Sequence, residues 1–515
     1  MLQLEYPCLQ CKGFTGLHAA LVGVLGSLIS ALGAVYMLTL WTTISVQAQP
    51  PNVRYEAELR ADDDIPPAMY KHRRERLRQA FSNRSLILVF AADVRNRQNS
   101  VNYEYRQNSD MLYLTGFPEA HSVLFLIPNG ISIGNEIVHD VLLVQPRNPA
   151  EELWTGVTFG AERAEQLLGI KTLHFDHWQT ILGEALRKTD TVVLMGLPTP
   201  SVQIPVSHDA LSIDSIVRQR LTALKPNVVV RWQRKQITRQ REIKDSAELR
   251  LLKKAIDITV EGHLATIKAV RAGMGEYEAE ALVEGTFKRL GAEDVGYPSI
   301  VGSGGNACVL HYTKNRRRMQ HGELVLMDCG AEYHGYSADI TRTVPVSGKF
   351  SAEQRTLYNL VLEAQNAAIR ECTPGADWRY PHSKIVEVLR RGLKTLGIIA
   401  NNDEQPEQYK WYFPHGSSHC LGLDVHDSQT NTTLQPNMVI TVEPGVYIPA
   451  GSPCDKRWWN IGIRIEDDIL ITNGEPIILS ERLPRTVETI EALMQQAAPN
   501  HKQQSSVQPS TQRKR

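Results

Sequence analysis

The sequence predicts two domains of different class: an α/β domain over residues 65–240 and, over 241–496, an α+β domain built as an internal duplication. Two observations lead there. Between 86 and 224, short apolar runs alternate with amphipathic stretches, the pattern of strands alternating with helices. Beyond 240, helical regions at 245–290 and 351–398 are interleaved with pairs of strand-like runs, each pair separated by a turn-rich segment. In the first domain, strands are expected at 86–91, 123–128, 140–144 and 192–195, and helices at 161–168, 178–186 and 211–224. A basic stretch at 231–244 then leads into a long amphipathic helix, 245–270, with Ser246 and nearby acids as its cap.

The ends of the chain read differently. Residues 1–48 form a hydrophobic segment: 13–53 contain no Asp, Glu, Lys or Arg, and 17–41 are nearly all apolar or small, long enough to span a bilayer as a helix. Val46-Gln47-Ala48 also suits cleavage of a signal peptide, so a retained membrane anchor and a cleaved signal both stay open. Lys12 before the run and Asp62, Asp63 and Asp64 after it place the folded part outside the cytoplasm. A linker over 49–64 carries Pro50 and Pro51. The tail, 497–515, is rich in Gln and Ser and ends in Arg-Lys-Arg, a composition expected to be disordered.

Composition excludes some classes. At 515 residues and 42% apolar content the chain can fill two full cores. Its 56 Lys and Arg balance 56 Asp and Glu, so no overall basic field recruits nucleic acid. The basic cluster Arg316 to Arg318 reads as a solvated loop. The stretch GSGGN at 302–306 lacks the Lys-Ser/Thr sequel of a phosphate loop and the spacing of a dinucleotide fingerprint, so it reads as a glycine turn delivering His311. Seven scattered cysteines make no disulfide framework, and Cys8 and Cys11 form a CxxC with no second pair.

The chemistry concentrates in five segments of the second domain: LVLMDCG around Asp328, SADITRT around Asp339, HGSSHCLGLDVHD around His419, ITVEPGVYI around Glu443 and GIRIEDD around Glu466. Four carboxylates and one imidazole exceed the needs of a single hard cation and suit two divalent ions sharing ligands. A hairpin centred between Tyr333 and His334 sets Asp328 directly opposite Asp339, about 5 Å apart. A hairpin centred between Cys454 and Asp455 sets Glu443 opposite Glu466, with Arg464 on the Glu466 face. Solvated strand-end acids are the alternative for either pair alone; two such pairs on apolar strands argue for cations between them. The segment 413–427 holds His415, His419 and His426 among glycines. No Glu follows His415 as a zinc-binding H-E-x-x-H helix requires, so an extended segment is expected, with one His as ligand and the others facing the reacting groups.

These five segments, in this order, resemble those of the creatinase, aminopeptidase P and methionine aminopeptidase superfamily, and within it aminopeptidase P, the Xaa-Pro aminopeptidases. Two further stretches carry the closer likeness: IVGSGGNACVLHYTKN at 300–315 and YRQNSDMLYLTGFPEA at 105–120. The likeness covers about 65–490. It implies a pita-bread catalytic domain behind a creatinase-like N-terminal α/β domain. The implied activity is that of a dinuclear metallo-aminopeptidase cutting the N-terminal Xaa-Pro bond with a hydroxide held by two metals. On this resemblance Asp328, Asp339, His419, Glu443 and Glu466 hold the metals, with Asp339 and Glu466 shared, and Glu443 also shuttles the proton. His311 and His426 line the reaction centre. His415 belongs to the catalytic group too and, with Tyr447 and Arg464, shapes the proline pocket. The oxygen-rich ligands favour Mn²⁺ over a thiolate-seeking metal for both ions, with zinc and cobalt left open for the same site. The expected partners are peptides with proline second, no nucleic acid, and a membrane through the N-terminal segment; a homo-oligomer stays open. A prolidase, restricted to Xaa-Pro dipeptides, and a non-catalytic pita-bread binding module are the rival readings.

Overall fold

A computed structural model describes residues 63–196, 208–401 and 405–497. The first part runs α1 (Pro67–Gln79), β1 (Ser85–Phe90), β2 (Asn96–Gln98), β3 (Val101–Asn102), α2 (Ser109–Thr115), β4 (Val123–Ile133), β5 (Glu136–Val144), α3 (Pro149–Thr155), α4 (Gly160–Leu168), β6 (Lys171–His174), α5 (Trp178–Leu186), β7 (Thr191–Met195), α6 (His208–Leu224), β8 (Val229–Trp232) and α7 (Lys235–Glu242). Six strands form one sheet in the order β6-β5-β4-β1-β7-β8. Its interior is parallel between β1 and β7 and antiparallel between β1 and β4. Strand β1 is a continuous apolar run because both of its faces are covered. Leu86 and Leu88 pack with Ile181, Leu182 and Leu221 of α5 and α6, while α1 and α2 lie against β4 and β1. The expected strands and helices of this part are present. The main extension is at β4 and β5, which run on into a hairpin turning at Gly134 (φ +60°).

The second part repeats a plan of two packed helices followed by strands. Helices α8 (Ser246–Ala269) and α9 (Glu276–Arg289) pack together and precede β9 (Asp294–Val295), β10 (Ile300–Ser303), β11 (Leu324–Cys329), β12 (Ala331–Tyr333), β13 (Tyr336–Ser337) and β14 (Ile340–Pro345). Helices α10 (Ala352–Arg370) and α11 (Tyr380–Thr395) pack together and precede β15 (Val439–Val442), β16 (Gly445–Ile448), β17 (Ile461–Arg464), β18 (Asp467–Leu470) and β19 (Ile477–Ile478); α12 (Val487–Ala497) closes the described chain. The cap of α8 is Asp245, not Ser246. Its carboxylate accepts from the N–H groups of Ala247 and Glu248, both at 3.0 Å, and the Glu248 side chain accepts from the Asp245 N–H. Asp245 has the extended backbone and the Glu three residues on that a capping box requires, whereas Ser246 is already the first helical residue.

The two hairpins differ in how they meet expectation. In the second, Val442 pairs with Asp467 and Gly445 with Arg464, so Glu443 and Glu466 fall opposite each other between two short ladders. In the first, Tyr333 pairs with Tyr336 and Asp328 with Thr341, so the centre lies one position later than expected. The reason is local: His334 (φ +49°) and Gly335 (φ +79°) are both left-handed and make a two-residue turn. Asp339 therefore stands diagonal to Asp328 instead of directly opposite. The halves join where β14 meets the strands after Glu443: Thr343 Oγ1 donates to the Arg464 carbonyl at 3.0 Å, and the Glu466 N–H donates to the Thr341 carbonyl at 3.1 Å.

The expected membrane association and transmembrane helix are corrected: among the described residues no helix is long and apolar enough to cross a membrane. Helix α8 has the length, at 24 residues, but carries Arg250, Lys253, Lys254 and Asp257 along its middle, the pattern of a helix half in water. Residues 17–41, which prompted that expectation, lie outside the described residues, as do 49–62 of the linker and 498–515 of the tail.

Candidate metal centre

Two hairpins bring the acids together, and a third segment adds the imidazole. Asp328 is the fifth residue of β11, and Asp339 directly precedes β14. Glu443 joins β15 to β16, and Glu466 joins β17 to β18. His419 lies on an extended segment beside β15, held by the Thr441 N–H to His419 carbonyl bond at 3.0 Å and the Leu421 N–H to Val439 carbonyl bond at 3.0 Å. Their side-chain donors converge. Asp328, Asp339 and Glu466 each offer an oxygen within 4.8 Å of the others; His419, Glu443 and Glu466 bring a ring nitrogen and two oxygens equally close, and Asp339, His419 and His426 an oxygen and two ring nitrogens. Asp339, Glu466 and His419 each belong to two of these triplets, which is the geometry of shared ligands.

A cavity of about 520 Å³ opens over the cluster, lined by the five candidate ligands together with His311, His415, His426 and Arg464. Tyr447 stands outside that lining. Its hydroxyl sits behind, 2.9 Å from His415 Nε2 and 3.1 Å from Arg464 Nη1, so it orients two wall residues. Sequence reasoning missed Tyr297, whose hydroxyl lies 2.6 Å from Asp328 Oδ1 and 2.7 Å from Asp339 Oδ1. It also missed Thr341, which donates to Glu466 Oε2 at 2.7 Å, and Asp468, which accepts the Asp339 N–H at 3.2 Å. Thr341 and Asp468 sit two residues beyond a predicted ligand on the same strand face, a signal that was readable; Tyr297 has no such cue.

The electrostatics show what the cluster lacks. Burial, then Asp339, Glu443 and Asp328, push the Glu466 carboxyl far above the ordinary range. Burial also lifts Glu443 to about 8, with Asp339 and Asp328 adding to it against the pull of His419 and Arg464. Asp328 is raised by burial and by Asp339, although Arg464 opposes both. For His419 burial pulls down, but Asp339 and Glu443 overcome it and hold the imidazole up at about 9. Burial and the Arg464 charge take His415 down to about 4, and burial with the His419 charge lowers His426. Buried carboxylates this close cannot all ionise without more positive charge than Arg464 and His419 bring. An oxygen-rich buried set with one imidazole fits divalent cations, and the residues present suit two.

Comparisons with known proteins agree with this geometry. Residues 250–473 match the model of metallopeptidase family M24, and 70–194 that of the aminopeptidase P N-terminal domain. The Xaa-Pro aminopeptidase of Escherichia coli is 37% identical over 434 residues, covering 82% of this chain and 97% of that protein. Among solved structures, aminopeptidase PepP of Pseudomonas aeruginosa aligns with a TM-score of 0.76 at 35% identity, covering 84% of this chain and 99% of that one. Aminopeptidase P of E. coli with the inhibitor Pro-Leu aligns with the same score, identity and coverage.

Proposed function

Since this chain belongs to metallopeptidase family M24, with the N-terminal domain of aminopeptidase P, and is a metal-dependent hydrolase, we propose that it removes the N-terminal residue from peptides whose second residue is proline. The observation that carries this reading is the single cavity in which a buried oxygen-rich cluster faces His311, His415, His426 and Arg464. Asp328, Asp339, His419, Glu443 and Glu466 hold two divalent ions, Mn²⁺ by preference because most of the donors are carboxylate oxygens. When bound, such a pair supplies Lewis acidity and a water acidified to near neutrality.

The chain's own residues do the rest. Glu443 lies 3.7 Å from His419 Nε2 and 3.5 Å from His415 Nδ1, at the mouth of the cluster, and takes the proton from the attacking water to the leaving imino nitrogen. His311 and His426 border the same space and stabilise the carbonyl oxygen as it gains charge. His415 and Arg464 wall the place of the proline ring, with Tyr447 fixing both from behind. A proline has no N–H and a fixed φ, so a pocket shaped for it disfavours extended residues.

Cleavage of Ala-Pro and Ala-Pro-Ala by metal-stripped protein, with Mn²⁺, Zn²⁺ or Co²⁺ restored in turn, tests the reading. The expected result is release of alanine from Ala-Pro-Ala, with Mn²⁺ restoring the most activity. Cleavage of Ala-Pro alone identifies a dipeptidase, and no cleavage with any metal identifies a binding module.

A further inference from the structure

The stretch YRQNSD at 105–110 lies in the N-terminal domain, yet Arg106 and Ser109 reach the loop that carries His426 directly and Asp110 reaches it through Arg241. Arg106 donates to Glu332 at 2.6 Å, to the Gly335 carbonyl at 3.2 Å and to the Leu423 carbonyl. Ser109 donates to Asp424 Oδ1 at 2.6 Å. Asp110 accepts from Arg234 at 2.8 Å and from Arg241 Nη1 at 2.8 Å. The other end of the Arg241 guanidinium reaches Asp424 at 2.7 Å and Asp427 at 2.9 Å. One fully buried cation thus ties the acids on both sides of His426 to an acid of the N-terminal domain.

The neighbours of Arg241 hold the same loop further along. Glu242 accepts from Thr430 Oγ1 at 3.0 Å and from Asn431 Nδ2 at 2.7 Å. Gly422 leaves the room that the arrangement needs, since a Cβ there would meet Asp427 Oδ2 at 2.4 Å. His426 itself is only partly covered on this loop, its ring edge-on to His419 at 4.4 Å between centroids. Its place over the metal cluster is therefore inherited from Asp424 and Asp427.

We infer that Arg241, braced by Asp110, is a positioning residue that acts through Asp424 and Asp427 to hold His426 over the reaction centre. This rests on the aminopeptidase reading above and assigns the N-terminal domain a part in catalysis. A guanidinium is suited to the task because its rigid plane sets Nη1 toward Asp110 and Nη2 toward Asp424 and Asp427, whereas an ammonium offers its donors from a single atom on a flexible stem.

The test is a double-mutant cycle on the full chain loaded with Mn²⁺, reading kcat, KM and bound metal with Ala-Pro-Ala. Arg241→Lys is expected to lower kcat about 10- to 100-fold, the range for residues that orient a site from behind, with KM and metal content little changed. Asp424→Asn, half-exposed and so tolerated in folding, is expected to lower kcat about 3- to 10-fold. In a His426→Ala background both substitutions should have less than about a 2-fold effect, because the residue they position is gone. An equal loss in that background, an unchanged kcat in both single variants, or a loss matched by lost metal overturns the inference. Failure of the aminopeptidase reading shows separately, as a wild-type protein that does not cut Ala-Pro-Ala, and removes the inference with it.

Discussion

Arg464 and Asp328 lie 136 positions apart in the chain and meet at 2.5 Å, Nη2 donating to Oδ2. The same guanidinium donates to Thr341 Oγ1 at 3.1 Å and to the Tyr447 hydroxyl at 3.1 Å, so one side chain spans both duplicated halves. Its charge is buried beside the acid cluster, where it offsets part of the repulsion and leaves the remainder for cations.

Arg464→Lys keeps a charge but cannot keep this set of bonds. The expected outcome is a fall of about 10- to 100-fold in kcat/KM for Ala-Pro-Ala, with bound metal staying near its wild-type level. Discrimination between Ala-Pro-Ala and Ala-Ala-Ala should weaken as well, as kinetics on the two tripeptides will report.

Asp339→Asn removes charge from a residue that two ligand triplets share. Metal content by elemental analysis should drop well below wild type, and turnover by at least ~100-fold. Wild-type stoichiometry with near-normal turnover would rule out a shared-ligand role.

Glu276 is fully buried at the start of α9 and organises the loop before His311. It accepts from the Ser303 N–H and Oγ at 2.8 Å, Asn306 Nδ2 at 3.1 Å, Tyr312 OH at 2.9 Å and the Arg317 N–H at 2.9 Å. Arg317 is correspondingly tied to Glu323 at 2.5 Å, so the cluster at 316–318 is only partly a solvated loop. Glu276→Gln turns one acceptor into a donor facing donors and should cost about 1–3 kcal/mol in denaturant unfolding. Turnover should fall with it through His311, which kinetics on the folded variant will show.

His263 makes acid stability measurable. It is buried in α8, with Nε2 3.2 Å from the Cys329 carbonyl, and burial, then the Arg342 charge, lowers its pKa to about 4. The unfolded chain takes up a proton near pH 6.5 that the folded chain refuses until about 4, so stability is full above 6.5 and is lost as pH falls. Between pH 7 and 5 the group contributes a loss of about 2 kcal/mol. Denaturant midpoints at the two pH values should therefore shift less in His263→Gln than in wild type. Equal shifts would show that His263 is not the group responsible.

Much of the candidate site was legible because strands impose a period of two and acids do not sit on buried strand faces without a reason. The hairpin centred between Cys454 and Asp455 came out in register, since Pro, Gly and Ser bound a long loop between clear apolar runs. The first hairpin slipped by one position because Gly330, Gly335 and Ser337 spread the turn signal along the segment, whereas the turn itself is only His334-Gly335. The slip preserved the face: it moves the direct partner of Asp328 from Asp339 to Thr341, two residues along.

By itself the sequence determined the order of helices and strands, the duplicated plan, and which acids and histidines to look for at one cavity, because periodicity and residue type are local properties. Only the tertiary structure decided which strands became neighbours. It set Asp328 against Arg464, placed the Tyr297 hydroxyl between two carboxylates, moved Tyr447 behind the wall, and laid YRQNSD against the loop of His426. A strand pattern states the face a residue points to but not what it will meet there. That is settled when burying apolar surface forces distant segments together and every buried charge must find a partner.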